Sequence, residues 1–343
     1  RKRSMIMKKR FTHIYQDIIS IDNLLVAWTE FKNGKTSRYD VQQFELDLMR
    51  NIFLLENNLA NKTYQHSAYH AFNIADPKPR NIHKASVRDR LLHHAIYRKL
   101  YPFFDTVFIA DSFSCRVGKG THKAISRFRT FTYLESRNHT RTCWVLKCDI
   151  KKFFASIDQR ILIEILVGYI KDHDIMWLLL QIITSFHGSR IGVGLPLGNL
   201  TSQLLVNIYM NEFDQFMKHT LKAKYYIRYA DDFVILSRDK TWLENVLPRM
   251  KEFLWQKLRL QMHPNKVSIS TVASGADFLG WTHFPGHRVL RTSTKRRMLT
   301  KLHKTQNLEV LNSYLGLLKH GNTYKLRQAI DSRTNLENIS DIF

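Results

Sequence analysis

The sequence predicts an α+β fold, an antiparallel sheet with helices on one face. Between Trp144 and Trp281 the apolar patterning reads strand, helix, helix, hairpin, helix, strand, hairpin, an order that suits such a layer. No internal repeat, low-complexity tract or long linker divides the 343 residues, and 44% hydrophobic content is enough to bury a substantial core.

Taken in order, residues from Phe11 to Leu59 place apolar side chains at helical spacing (Ile14, Ile18, Ile21, Leu24, then Phe44, Leu48, Ile52, Leu55), broken at Lys32 to Asp40. They predict a helical N-terminal layer. From Tyr64 to Ile82 short aromatic-rich pieces end in Asp76-Pro-Lys-Pro-Arg80, where two prolines forbid helix and favour strands joined by a basic turn. A helix follows from Val87 to Leu100. Trp144 to Cys148 is a short apolar run that delivers Asp149 at its C-terminal end, and Ile161 to Ile170 is helical. Asn199 to Leu221 predicts a long helix, capped by Asn199 or Thr201, with Leu204, Ile208, Phe213 and Phe216 on one side. Tyr225 to Tyr229 and Phe233 to Leu236 are β-prone runs flanking Ala-Asp-Asp, which makes a hairpin with carboxylates at its turn. Trp242 to Leu258 reads as helix, Val267 to Val272 as strand, Phe278 to Thr282 as the start of another hairpin, and Arg291 onward as a basic helical tail.

Lys and Arg number 53 against 29 acidic residues, a net charge of +24. Such self-repulsion favours a polyanionic partner, nucleic acid, over a basic surface that serves only solubility. Three cysteines (Cys115, Cys143, Cys148) form no Cys-x-x-Cys pair and read as small buried hydrophobes rather than a zinc or disulfide framework. The most apolar stretch, Ile175 to Phe186, is interrupted by Gln181 and falls short of the roughly 18 residues a membrane span needs. The basic N-terminus lacks the apolar run and cleavage site of a secretory signal, so a soluble cytoplasmic protein with no membrane partner is expected. Gly118-Lys-Gly-Thr121 and the glycines between Gly192 and Gly198 have neither P-loop nor dinucleotide spacing, and no His-Glu-x-x-His marks a zinc hydrolase.

Nucleotidyl transfer needs two divalent ions about 3.5–4 Å apart, and hard cations need clustered carboxylates. A strand ending in Asp149 beside a hairpin tipped by Asp231 and Asp232 would supply such a cluster for two Mg²⁺ ions, with Mn²⁺ as a possible substitute. An Asp-Asp pair alone is more often an exposed turn. Set between two apolar β-prone runs, however, these carboxylates would be expensive unless a cation neutralised them.

RYADDFVIL around Asp231 and CDIKKFFASID around Asp149 resemble, in order, the two catalytic motifs of reverse transcriptases. PKPRNIHKASVRDRLLHHAI, SFSCRVGKGTHKAI, HPNKVSIS and FLGWTH resemble further segments of that family, so the resemblance runs from about Tyr64 to Trp281. It implies an RNA-directed DNA polymerase with a right-hand fold: a helical N-terminal extension (1–60), fingers (61–140), palm (141–285) and a short basic helical thumb (286–343). It implies Asp149 and Asp231 as metal ligands, with Asp232 supporting and the Ile150 carbonyl helping. Phe154 matches the aromatic gate under the incoming sugar, one of the Phe153–Phe154 pair being buried. Arg80 matches the fingers arginine that grips a deoxynucleoside triphosphate, with Lys78 as a companion. Lys266 falls where a lysine stands near the leaving group, although an exposed loop lysine fits as well. Arg116 and Lys119, with Arg291, Lys295, Arg296 and Arg297 of the thumb, become candidates to contact template RNA and an RNA–DNA hybrid.

One departure narrows the resemblance. Pro196-Leu197-Gly198 stands where most reverse transcriptases read Pro-Gln-Gly, and Ser202-Gln203 follows. This pattern is similar to the reverse transcriptases of diversity-generating retroelements. Leu197 cannot offer the glutamine amide that touches the incoming nucleotide, and Gln203 joins the candidate nucleotide contacts. The resemblance then implies misincorporation at template adenines while a template-repeat RNA is copied, together with a small basic oligomeric accessory variability protein as partner. Retron, phage-defence and intron-maturase enzymes are the neighbouring alternatives, and a catalytically silent RNA-binding scaffold is the alternative of another class. Because little sequence follows the basic tail, no endonuclease extension is expected.

Overall fold

The computed structural model describes residues 9–75, 79–304 and 307–331. The N-terminal layer is helical as the periodicity predicts, with α1 (Tyr15–Ile19), α2 (Ile21–Lys32), α3 (Tyr39–Leu46) and α4 (Leu48–Ala60). Trp28 and Phe31 of α2 are buried, and the Asn23 amide donates to the carbonyls of Ile18 and Ala95, tying the layer to the helix that follows. Strands β1 (His70–Ile74) and β2 (Arg80–Lys84) form an antiparallel pair, Ile74 opposite Arg80. Helix α5 (Val87–Asp105) starts on the Ser86 side-chain cap and runs one turn past Leu100, because Phe104 extends its buried face beyond Pro102.

Two further helices precede and follow the first strand of the main sheet, and neither is assigned by the sequence patterning. Helix α6 (Thr121–Glu135) has only Ala124, Ile125, Phe128 and Phe131 as its apolar stripe, diluted by polar residues. Strand β3 (Trp144–Asp149) is followed by α7 (Gln159–Val167) and then α8 (His173–Ile183), where a continuous apolar run masks helical periodicity. Then come α9 (Leu200–Gln215), prolonged by a π-helical turn, β4 (Tyr225–Tyr229), β5 (Asp232–Ser237) and α10 (Lys240–Leu258). After β6 (Ser268–Thr271), the strands β7 (Ala276–Phe278), β8 (Trp281–His283) and β9 (Arg288–Leu290) make a small antiparallel sheet. The helices α11 (Thr292–Lys304), α12 (Leu308–Leu318) and α13 (Tyr324–Asp331) close the described chain.

The main sheet is antiparallel in the order β4-β5-β3-β6. Strand alternation sends Leu146, Cys148, Phe233 and Ile235 into the large core shared with α9 and α10. The opposite face, carrying Val145, Ile227, Val234 and Leu236, packs on Phe128 and Phe131 of α6 and on Phe278 of the small sheet. The sheet is therefore covered on both sides at the end away from its carboxylates. Helix α9 is buried nearly all round rather than along one side: Ser202, Asn207, Asn211 and Asp214 are as buried as Leu204 and Phe213. Asn199 stands at its N-cap, but the amide donates to the His83 carbonyl (2.9 Å) instead of capping, and Thr201 lies inside the first turn. Cys143 and Cys148 are buried, whereas Cys115 is exposed in a left-handed turn, contrary to its reading as a core residue.

Leu290, Met298, Leu318 and Ile330 form a third core with Trp281, so the C-terminal helices rest on the small sheet. Gly321 sets how closely: a Cβ there would lie 2.1 Å from the Trp281 ring. No helix among the described residues is long and apolar enough to cross a membrane.

Candidate active site

Strands β4 and β5 meet in a two-residue turn, Ala230-Asp231, closed by the pair Tyr229–Asp232. Ala230 has φ +56°, a conformation that costs an L-residue about 1–2 kcal/mol and is normally left to glycine. Two backbone contacts hold it: the Ile150 N–H donates to the Asp231 carbonyl (3.1 Å) and Arg228 Nη1 donates to the Ala230 carbonyl (3.2 Å). Arg228 is wholly buried on β4. It is neutralised by Asp214 of α9, itself buried, which also accepts from the Tyr226 hydroxyl (2.7 Å). Ser112 Oγ (3.0 Å) and Asn207 Oδ1 (3.2 Å) take the remaining guanidinium donors, so no part of the buried charge is left unsolvated.

Asp149 ends β3 directly opposite Asp232 of β5, which sets their carboxylates side by side on one face of the sheet. Burial raises the Asp231 carboxyl above the usual range, and the neighbouring Asp149 adds to this; Lys266 and Arg80 oppose. Asp232 is pushed up to about 6, by burial first and then by Asp149, Asp231 and Asp277, with Lys147 opposing. Its Oδ1 is buried without a hydrogen-bond partner. Mutual repulsion and an orphaned oxygen are what a cation would relieve, so the donor set fits hard divalent ions. Among the described residues no three His, Cys, Asp or Glu side chains already stand in ligand geometry around one point. Instead the Lys266 ammonium sits on Asp149 Oδ1 at 2.9 Å, a positive group where the carboxylates need one.

The other sequence candidates fall into three groups. Arg80, exposed on β2, is close enough for its charge to be felt at Asp231. Phe154 is half-buried against the large core beside the buried Phe153, their rings 5.6 Å apart, so one of the pair is buried as expected. The Leu197 carbonyl accepts from the His83 N–H (3.0 Å), which ties the start of α9 to β2, and Gln203 is half-buried in the first turn of that helix. Lys295, Arg296 and Arg297 lie on α11, the two arginines exposed. Lys78 lies outside the described residues.

Arg116 does not face a ligand. Its guanidinium is turned inward onto Asp105 and the carbonyls of Ile109 and Ser112, which consumes its donors. Lys119 Nζ is likewise on the Ala110 carbonyl (2.8 Å) and over the Phe113 ring. Arg291 is held by Asp277, which also takes Lys147 of β3 (3.3 Å), so Asp277 ties the small sheet to the sheet face that carries Asp149. Sequence reasoning missed the Arg228–Asp214 pair. Its signal was an arginine inside the β-prone run Tyr-Tyr-Ile-Arg-Tyr and an aspartate between Phe213 and Phe216.

A sheet of this order, with carboxylates at one strand end and at the adjacent hairpin turn, has the fold of the right-hand polymerases. Within that class the chain belongs to the reverse transcriptase family: residues 75–283, more than half of it, match the family described as Reverse transcriptase (RNA-dependent DNA polymerase). Protein YkfC of Escherichia coli is 27% identical over 61% of this chain and 63% of its own length. The group II intron-encoded protein LtrA of Lactococcus lactis is 21% identical over 84% of this chain and 58% of its own. The chain thus spans less than two thirds of either relative. Apo telomerase from Candida tropicalis shares the fold, with a TM-score of 0.50 at 14% identity over 68% of this chain and 50% of that one.

Proposed function

We propose that the chain is an RNA-directed DNA polymerase that extends a primer on template RNA with deoxynucleoside triphosphates. The observation that carries the reading is the facing of Asp149 and Asp232 with Asp231 at the adjoining turn, their burial and mutual charge calling for a cation. Asp149 and Asp231, with Asp232 and the Ile150 carbonyl, would hold two Mg²⁺ ions, which neutralise the transferring phosphate and activate the attacking hydroxyl. Arg80 would pair with the triphosphate through its planar guanidinium. Phe154 would lie under the sugar and exclude a 2′-hydroxyl. Arg296 and Arg297 of α11, with Lys295, would track hybrid phosphates without reading sequence. In this reading residues 61–140 are fingers, 141–285 palm and 286–331 of the described chain thumb, α6 packing on the palm sheet although it lies within the fingers range.

Within the family, Leu197 with Ser202-Gln203 supports an error-prone enzyme of the diversity-generating kind, working with a basic accessory protein. The likeness to LtrA over 84% of this chain favours an intron-encoded type as the second reading. Primer extension on an RNA template with Mg²⁺, comparing the parent with Asp231→Ala, tests the activity. Loss of extension in the variant is expected, and extension that survives would remove the polymerase assignment.

A further inference from the structure

Two adjoining hollows of about 470 and 370 Å³ lie around the C-terminal end of α10 and the turn after β3. They share Lys151, Trp255 and Gln261. Trp255 is 50% exposed, which leaves indole surface open to a planar ligand beside the cations that line both hollows. Five exposed cations surround it: Lys151, Lys152, Arg190 and Arg259 in one hollow, Lys151 and Lys251 in the other. None of the five has an ion-pair partner among the described residues, and the Arg259 guanidinium stands 5.9 Å from the indole centroid. Asp158 is the carboxylate lining the hollows, and it is committed to the N–H groups of Arg160 and Ile161 as the cap of α7.

An aromatic face flanked on both sides by unneutralised cations matches the repeating unit of a single-stranded nucleic acid, a base to stack and phosphates to either side. A duplex hides its base faces. We infer that the Trp255 hollows, which adjoin the turn after Asp149, bind a single-stranded RNA segment, with a base stacked on the indole and phosphates on Lys151, Lys152, Lys251 and Arg259. The choice of RNA over DNA rests on the proposed function, in which the copied polymer is RNA; the stacking geometry does not. The segment held is a stretch of the template RNA beyond the part being copied, and no base identity is read.

The test uses a fluorescein-labelled twelve-nucleotide oligo(U) and the whole chain, its cleft saturated with unlabelled RNA–DNA hybrid, with binding read by anisotropy. Trp255→Ala should weaken binding about 5- to 100-fold while Trp255→Phe stays within about threefold of the parent. The double variant Lys251→Glu/Arg259→Glu should flatten the salt dependence by about 0.7 in log–log slope for each phosphate it no longer neutralises. Trp255 is exposed, so the variant folds, and it should extend a short primed template at the parental rate. Unchanged oligo(U) binding by Trp255→Ala would overturn the inference. So would displacement of oligo(U) by the hybrid, equal competition by an RNA duplex or by millimolar ATP, or tighter binding of oligo(dT). A parent that fails to extend a primer yet binds oligo(U) through Trp255 would remove the polymerase reading and leave this site standing.

Discussion

Arg228 grips Asp214 through Nε and Nη2 at 2.7–3.0 Å and with its remaining Nη1 holds the carbonyl of Ala230, the residue before Asp231. A buried ion pair beneath the hairpin thus fixes a strained turn whose next side chain belongs to the carboxylate cluster. Arg228→Met alone strands the Asp214 charge and should destabilise the protein by about 3–5 kcal/mol in urea unfolding. Replacing both partners, Arg228→Met with Asp214→Leu, should recover most of that stability while primer extension stays at least tenfold below the parent, because the Ala230 carbonyl has no tether. Parental kcat in the stable double variant would reduce the pair to a packing element.

Lys266 should compete with divalent cations, since its ammonium lies 2.9 Å from Asp149 Oδ1. Lys266→Met removes that competitor from a cluster in which the Asp231 and Asp232 carboxyls are already pushed up by burial and by neighbouring carboxylates. Thermal melts in increasing Mn²⁺ should show the variant stabilised at a several-fold lower concentration than the parent. An identical midpoint would mean that Lys266 leaves Asp149 before any cation arrives. Because the readout is stability, a separate role of the lysine at the leaving group does not confuse it.

The elements that were legible in the sequence are those whose local pattern and tertiary role agree. Strand β3, the β4–β5 hairpin and α10 each follow one period, and their ends fall close to where turn and cap residues put them. Helix α8 was not picked out because its outer face is also apolar at Trp177 and Leu180, so the run is continuous although only one side is buried, and the apolar stripe of α6 is too short to stand above its polar positions. At the site, Asp149, Asp231 and Asp232 were readable because carboxylates are anomalous in apolar β-runs. Arg116 misled for the converse reason: a basic residue in a loop looks like a ligand contact until the chain folds it back onto Asp105, at the end of the preceding helix. Nothing local names the partner in such pairing between elements, and of the Arg228–Asp214 pair the sequence carries only the two charges in apolar surroundings, without the link between them.

Acid should destabilise the fold through histidines that are buried neutral. His93, wholly buried, is pushed down to about 3 by burial and by the adjacent His66, and burial pushes His283 down to about 4. Unfolded histidines bind protons below about 6.5, so between that value and about 4 the unfolded chain takes up protons that the folded chain refuses. Stability is therefore full at neutral pH and falls as pH drops, by about 1.4 kcal/mol per pH unit for each such group, or roughly 2 kcal/mol each by pH 5. Urea unfolding at pH 7 and pH 5 should show this loss, and His283→Gln should shrink it by about the share of one histidine. Asp232, pushed up to about 6, takes up a proton in the folded chain over the same range and offsets about 1 kcal/mol of the loss, so the His283→Gln difference is the decisive reading, and an unchanged pH slope in that variant would mean that the His283 ring reaches solvent in the native state.

Leu197→Gln separates the two readings of the enzyme. The Leu197 carbonyl, bonded to the His83 N–H, is a backbone contact that the substitution leaves in place, and the half-buried side chain can be exchanged for a similar volume without moving Gly198, which at φ +111° already packs against Ile82. The new amide would reach the nucleotide pocket from an unchanged turn. If Leu197 loosens selection of the correct pair, one restored hydrogen bond of about 1 kcal/mol should cut errors opposite template adenine about fivefold while the extension rate stays within a few-fold of the parent. Sequencing the complementary DNA made by both proteins on one RNA template measures this. Adenine errors that are low in the parent and unmoved by the substitution would favour the intron-encoded type, since the leucine would then be only the residue that packs where the turn enters α9.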